Sequence, residues 1–398
     1  MTGGRYRFIT GVVWAALLAP ASVAAQQTGL SGYYLNVFTY LDGSLFTQAG
    51  VSDIQRLRFM WNASPGPLRF DAAYEHTLTL RQAGTSVGAQ LFTATGTESG
   101  SDWLPLDGEI ESSERMVWRH RVDRLSVRVD LGANADLIVG RQPVSWATTL
   151  FLTPADPFSP FDPGDPFREY RAGVDAARLR VYRGAFTQFE AVARVGAAES
   201  VTVLGRVSSN LRGWDLGAWG GVVHDTPGAA AFLSGSVGLW ALRAEGAVRE
   251  FGDGVALRGA VGMDRTFTVA GRDLYLVVEA QHDGFGATSP AGLVEAVARR
   301  VARQGEMQVL GRDVGAVQLS YALHPLVSAS GLVLGNLRDG SFIASPGLNW
   351  SASESVSVRM GAYFGVGEGV AVEGREVRLG SEFGALPRVV FGSLNWFF

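Results

Sequence analysis

The chain contains no cysteine, which excludes disulfide staples, thiolate nucleophiles and cysteine-based metal sites. Lysine is absent as well: all 34 residues counted as Lys+Arg are arginine. No basic patch is present that would seat nucleic acid. The five histidines (His76, His120, His224, His282 and His324) are scattered one to a segment, without H-E-x-x-H or other metal-ligand spacing. The G-x-S-x-G match, Gly84-Thr85-Ser86-Val87-Gly88, sits in a polar loop and lacks the strand and helix that a nucleophile elbow requires. Neither enzymatic chemistry nor a cofactor is expected. Past the first 25 residues no apolar run reaches the roughly 18 residues that a spanning helix needs.

Yet 47% of the residues are hydrophobic and glycine is abundant, at 51 residues. Apolar content without apolar runs means that the apolar residues are dispersed by alternation. The N-terminus has the pattern of an export signal. Arg5 and Arg7 precede an apolar stretch from Phe8 to Leu18, and Ser22-Val23-Ala24-Ala25 supplies small residues for cleavage before Gln26. The expected division is a signal peptide over 1–25 and one domain over 26–398. The full chain carries a formal charge of −4, so without Arg5 and Arg7 the remainder is −4 − 2 = −6. Only helices and closed barrels cross a bilayer, because backbone groups cannot stay unpaired in hydrocarbon. An exported, apolar chain without spanning helices points to a barrel.

Period-two alternation supports this nearly everywhere. Leu57, Phe59 and Trp61 alternate with Arg56, Arg58 and Met60. Leu125, Val127 and Val129 alternate with Ser126, Arg128 and Asp130. Leu242, Ala244, Gly246 and Val248 alternate with Arg243, Glu245 and Arg249. One set is greasy and rich in Ala and Gly, which is thin for a soluble core; the other carries arginines with acidic partners. In an outer-membrane barrel the greasy set faces lipid and the polar set a wet lumen, and an arginine on the lipid face at mid-depth would cost about 2–4 kcal/mol. The expected fold is all-β: an antiparallel up-and-down transmembrane barrel of about 18 strands. The long connections, at 42–52, 80–114, 145–172, 284–311 and 365–387, all follow odd-numbered strands, while those after even-numbered strands are short. That parity separates external loops from periplasmic turns. The chain ends on an alternating strand whose last residue is Phe398, the type of signal read by the barrel assembly machinery. Expected partners are that machinery, outer-membrane lipid and lipopolysaccharide, and a second copy in a homo-oligomer.

Gly140 to Asp175 is unlike the rest. Asp156-Pro157-Phe158 and Asp165-Pro166-Phe167 flank Asp162-Pro163, and proline fixes φ and removes a donor. The segment reads as a stiff third external loop folded into the barrel mouth. Arg141, Asp162, Asp165, Arg168, Glu169 and Arg171 would then set size and charge preference at a constriction. Asp156, Asp162 and Asp165 are hard oxygen ligands of the kind that hold Ca²⁺, but EF-hand spacing is missing, and the preferred reading is that these acids cap turns and pair with Arg141, Arg168 and Arg171. Strand parity turns Arg128, Arg178, Arg180, Arg194 and Arg206 into the lumen, with Arg243, Arg249, Arg258, Glu190, Glu245 and Glu279. Arginine rings favour anions; the alternative is that Arg–carboxylate ladders only brace the wall. Ser289 to Gly305 has helical apolar spacing at Leu293, Val294, Ala296, Val297 and Val301, which predicts a loop helix packed over the rim; the alternative is a lid.

Arg121-Val122-Asp123-Arg124-Leu125, Val139-Gly140-Arg141-Gln142-Pro143-Val144-Ser145-Trp146, Pro154-Ala155-Asp156-Pro157-Phe158 and Gly173-Val174-Asp175-Ala176 together resemble bacterial outer-membrane barrels of the porin and alginate-export-like superfamily. These share a G-R-Q-x-[IV]-x-W-G strand end followed by N-P-x-D-x-F-x-P. Ala147 stands where Gly is usual, and Thr153 where Asn is usual. The resemblance covers about sixty residues and implies an arginine-lined pore. The expected function is a diffusion channel for small polar or anionic solutes in the bacterial outer membrane; the alternative is an export barrel for a polysaccharide or another polymer.

Overall fold

The computed structural model describes residues 28–43, 48–82, 103–158, 170–196, 199–251, 254–373 and 376–398. The expected signal peptide and the Gly84–Gly88 segment lie outside them. The strands are β1 (Thr28–Leu41), β2 (Gly50–Ala63), β3 (Leu68–Arg81), β4 (Asp107–Ser112), β5 (Met116–Asp130), β6 (Ala135–Gln142) and β7 (Val174–Arg183). They continue as β8 (Thr187–Val195), β9 (Val201–Leu211), β10 (Trp214–Val223), β11 (Thr226–Val237), β12 (Trp240–Phe251), β13 (Gly254–Val269) and β14 (Arg272–Asp283). The last are β15 (Asp313–His324), β16 (Val327–Asn336), β17 (Phe342–Ser351), β18 (Val356–Val366), β19 (Val370–Glu373), β20 (Glu376–Leu379) and β21 (Val389–Phe397).

Every strand except β4, β19 and β20 belongs to the barrel wall, each pairing antiparallel with its neighbours, so 21 − 3 leaves 18 wall strands. The ring closes where β21 pairs with β1, Tyr33 opposite Phe397 and Leu41 opposite Val389. Phe398 exchanges backbone hydrogen bonds with Gly32, and its ring covers Gly32, where a Cβ would come within 2.6 Å of that ring. The terminal phenylalanine therefore also seals the seam. No helix among the described residues is long and apolar enough to cross a membrane; the strands do the crossing. The turns follow local chemistry. Arg212-Gly213 and Ala270-Gly271 both have two successive positive φ values, the geometry whose twist matches a two-residue hairpin.

The long connections all fall at one end, as parity requires. External loops L1 to L9 are 42–49, 82–115, 143–173, 196–200, 224–225, 252–253, 284–312, 337–341 and 367–388. Within L2, β4 pairs with the upper part of β5. L7 carries a 3-10 turn (Pro290–Gly292) and two short helices, α1 (Leu293–Ala298) and α2 (Arg300–Arg303). The expected amphipathic helix is thus present but broken at Arg299, whose backbone is extended. Leu293, Ala296 and Val301 are buried, whereas Val294 and Val297 are exposed.

The outer face is apolar, with Phe59, Val139, Val203, Val261 and Met360 among its exposed residues. The packed core lies inside the barrel. Val144, Trp146, Ala155 and Phe158 of L3 pack on Val192, Leu204, Trp219 and Val223 of the wall. Leu152 of L3, Val309 of L7 and Phe383 of L9 meet on Ala260, Val314, Ala316 and Leu334. The upper lumen is therefore partly filled and apolar, where alternation alone implied a wet, charged interior.

Candidate functional site

L3 folds into the barrel and is held there mainly through its own backbone. Pro154 and Pro157 keep the segment from forming helix or a paired strand, so its amide groups need acceptors elsewhere. Glu245 on β12 accepts from the N–H of Thr148 at 2.7 Å, Thr149 at 3.3 Å and Ala155 at 3.1 Å. Glu279 on β14 accepts from Leu150, Phe151 and Leu152 at 2.5, 2.8 and 2.9 Å. Gln308 of L7 accepts from Thr153 N–H and donates to the Phe151 carbonyl. Trp219 donates to the Ala155 carbonyl at 3.1 Å, and Trp146 donates to Glu190 at 2.8 Å. Glu245 and Glu279 were expected to face the lumen, where the alternative reading paired such acids with arginines along the wall. In the structure they satisfy a run of loop amides.

On its lumen side the wall from β2 to β9 carries a row of arginines. Arg58 binds Asp123 and Glu75. Arg128 and Arg180 share Asp136 at 3.0 and 2.9 Å. Arg178 binds Glu190 at 2.8 Å, with Arg206 further off at 4.0 Å. Burial within these pairs is unequal. The carboxylates are nearly sealed: the Glu190, Asp136 and Asp123 side chains are 1%, 2% and 5% exposed. The arginine side chains reach further out: 15% for Arg178, 18% for Arg180, 19% for Arg206 and 30% for Arg128. Around Asp136 and Glu190 negative charge is held behind and guanidinium groups form the surface, whereas Arg58 is more deeply buried than its partners Asp123 and Glu75. Arg171, 33% exposed, binds Asp156 at 3.3 Å, and Arg206 lies over the rings of Trp146 and Phe232. Arg194, also on the lumen side, is buried.

The alternation rule missed Asp123, which it sets outward with Leu125. A register shift in β5 pairs Ala73 with Arg124 and Tyr74 with Val122, leaving Asp123 as the extra residue. A bulge thereby sends two successive residues inward. Arg124 then shares the ring of Tyr170 with Arg58, at 5.4 and 5.0 Å. The adjacent charges of Arg121-Val122-Asp123-Arg124 were the only sequence cue.

Two groups do not occupy their expected places. Arg141 was expected at the constriction; it is fully buried in the wall seam, bonded to Asp175, the Val122 carbonyl and the Leu104 carbonyl. Arg249 and Arg258 were expected to line the lumen; they clamp L7 through Glu306, with Arg258 also on Asp283 at 2.7 Å. Asp162, Asp165, Arg168 and Glu169 lie outside the described residues, and with them most of the Ca²⁺ candidate. Asp156 is occupied by Ser145 at 2.7 Å and by Arg171.

The loops are also tied to one another. Glu382 of L9 accepts from Leu310 and Gly311 of L7 and from Asn336 at the end of β16. Its burial pushes the carboxyl up from its ordinary value against the pull of those donors. His224, in the L5 turn, is buried beside Ser200, and its carbonyl accepts from Arg300 of L7. Burial, with Arg194, Arg249 and Arg300 adding to it against Glu306, pushes its imidazole down from 6.5 to about 4. A depressed histidine favours the folded form while neutral, and this stability is lost as pH falls from 6.5 through about 4. Acidification over that window is expected to lower the thermal midpoint, by up to about 3 kcal/mol of stability. In His224→Gln that slope should vanish from the pH–stability curve; a slope equal to wild type would place the acid sensitivity elsewhere.

No family model and no curated protein sequence matches the chain. Solved structures do match its fold. OccAB1 of Acinetobacter baumannii aligns with a TM-score of 0.56 and 8% identity over 93% of this chain and 96% of that one. OccAB4 of the same organism gives 0.54 and 10% over 94% and 98%. OpdK of Pseudomonas aeruginosa, crystallised with vanillate, gives 0.52 and 11% over 94% and 99%. At these identities the likeness is one of fold: a closed antiparallel outer-membrane-type barrel spanning nearly the whole of each chain.

Proposed function

We propose that the chain is an outer-membrane channel that passes small anionic or polar solutes by diffusion, with L3 narrowing the passage. One observation carries the charge preference: on β6 to β9 the Asp136 and Glu190 carboxylates are sealed, and the arginines paired with them are partly exposed. A solute moving past L3 meets guanidinium groups that offer planar paired donors to a carboxylate or phosphate. The OpdK neighbour crystallised with vanillate is a fold relative in which an organic anion was present. Diffusion needs no cofactor and no covalent step.

Polymer export is the weaker reading. The narrower kinship to alginate-export-like barrels rests on the Gly140–Trp146 and Pro154–Phe158 motifs alone. A polymer would also need L3, L7 and L9 to leave the hydrophobic cluster that joins them.

Planar-bilayer recordings in a salt gradient test the proposal. The expected reversal potential is that of an anion-selective pore, and Arg178→Gln with Arg206→Gln should lower the anion-to-cation permeability ratio severalfold. Cation selectivity in the wild type would overturn the charge argument; absence of conductance would overturn the channel.

A further inference from the structure

On the outer face of β13, Arg265 stands without a counter-charge. The alternation of the strand sets its direction. Asp264 points into the lumen, where it pairs with Arg243 and accepts from Tyr275 Oη at 3.0 Å, so Arg265 points out with exposed Met263. It makes no ion pair or hydrogen bond among the described residues, and its Nε is buried without an acceptor. Aromatic rings hold it: the guanidinium lies over Phe267 at 4.7 Å and over Trp240 at 5.6 Å. Stacking uses the face of the guanidinium and leaves donors on its edge free. His282 and Asp313 also point outward, near the external end of the wall, but they bond each other and Asp313 binds Arg338 as well.

Arg265 lies four positions above Val269, the periplasmic end of β13. At about 3.3 Å per residue and a tilt near 40°, that is roughly 10 Å up the strand. Ala241 pairs with Asp264, so Arg265 is level with Trp240, the first residue of β12. Trp240 and Phe267, with Trp214 at the start of β10, form an aromatic belt of the kind that marks the level of lipid headgroups. Just above Arg265, toward mid-bilayer, the outer face has an apolar groove of about 410 Å³. The register gives its rows: Leu242, Met263 and Val278 side by side, then Ala244, Val261 and Ala280. The two alanines leave a dip between longer side chains. Met263 is the next outward residue of β13 above Arg265, so the groove opens onto the guanidinium.

We infer that this place binds one anionic glycerophospholipid of the periplasmic leaflet, with its phosphodiester on Arg265 and one acyl chain in the groove. A guanidinium offers paired donors in a plane that match two phosphate oxygens. Its outward neighbours do not compete for it: Trp240 and Leu276 flank it across the ladders, and Met263 and Phe267 along the strand. A zwitterionic headgroup would set a second cation against Arg265, so a headgroup without one, as in phosphatidylglycerol, fits best. Lipopolysaccharide phosphates belong to the opposite leaflet and are excluded by depth. The inference depends on the barrel crossing the outer membrane and not on which solute it passes.

Native mass spectrometry of the folded barrel in detergent, titrated with phosphatidylglycerol or with phosphatidylcholine, tests this. The wild type should retain one phosphatidylglycerol at least fivefold more than phosphatidylcholine at equal concentration. Arg265→Gln should bring phosphatidylglycerol down to the phosphatidylcholine level. Ala244→Trp, which fills the groove and leaves Arg265 in place, should lower retention at least threefold. Arg183→Gln, an exposed arginine at the periplasmic end of β7, should leave it unchanged. These changes lie on the outer face, so each barrel should keep its heat-resistant folded form. Equal retention of the two lipids by the wild type, wild-type retention in Arg265→Gln or in Ala244→Trp, or an equal loss in Arg183→Gln would each overturn the inference.

Discussion

Single-channel conductance is expected to rise at least twofold, with added open-channel noise, when Glu279 is replaced by leucine. The carboxylate accepts from three successive amides, Leu150, Phe151 and Leu152, within 2.9 Å. Hydrogen bonds to a charged group contribute about 1.5–3 kcal/mol each, and a buried donor left without a partner loses its hydration as well. The three are coupled through one side chain and water can enter behind them, so the loss is on the order of 3–5 kcal/mol rather than their sum. A shift of that size changes the docked-to-undocked ratio of the loop tip by a hundredfold or more. Glu245 and the hydrophobic contacts of Trp146 and Phe158 still hold the rest of L3. The tip should therefore move while the barrel stays folded. Glu279→Gln keeps one carbonyl acceptor and should give an intermediate conductance. Unchanged conductance and noise in a folded Glu279→Leu barrel would mean that the tip of L3 does not narrow the passage.

The barrel was legible because its rule is local. Alternation of Leu125, Val127 and Val129 with Arg128 and Asp130 names the two faces of a strand without any knowledge of its neighbours, and loop parity names the two ends. The loop attachments were not legible, because each joins residues far apart in the chain: Glu279 to Leu150, Gln308 to Thr153, Glu382 to Leu310. An inward glutamate reads the same whether it meets an arginine or a row of amides. The basic wall was half visible. Parity found Arg128, Arg178, Arg180 and Arg206, but it could not tell that their acids would be sealed behind them. The bulge at Asp123 broke the rule itself, since one inserted residue turns the next to the other face.

Arg141→Leu is expected to destabilise the barrel by about 3–5 kcal/mol, the cost of breaking a buried ion pair by removing one partner. The guanidinium is fully buried and makes a paired contact with Asp175, at 2.8 Å from both Nε and Nη2. Its remaining donors reach the Val122 carbonyl on β5 and the Leu104 carbonyl in L2. Asp175 in turn accepts from Leu104 N–H at 2.8 Å. One side chain thus joins β5, β7 and L2 at the upper end of β6. The backbone accommodates it closely, since a Cβ at Gly173 would come within 2.7 Å of the Arg141 side chain and 2.1 Å of the Asp123 carbonyl. The motif Gly140-Arg141-Gln142 is therefore explained by a closed seam rather than by contact with solute. Leucine would leave Asp175 charged and two carbonyls without donors. Lysine would keep the charge but not the planar fork, and should recover less than half of the loss. The expected signature is a lowered thermal midpoint and faster proteolysis within L2, with the reversal potential of the remaining folded channels unchanged. A shifted reversal potential with unaltered stability would return Arg141 to the aperture.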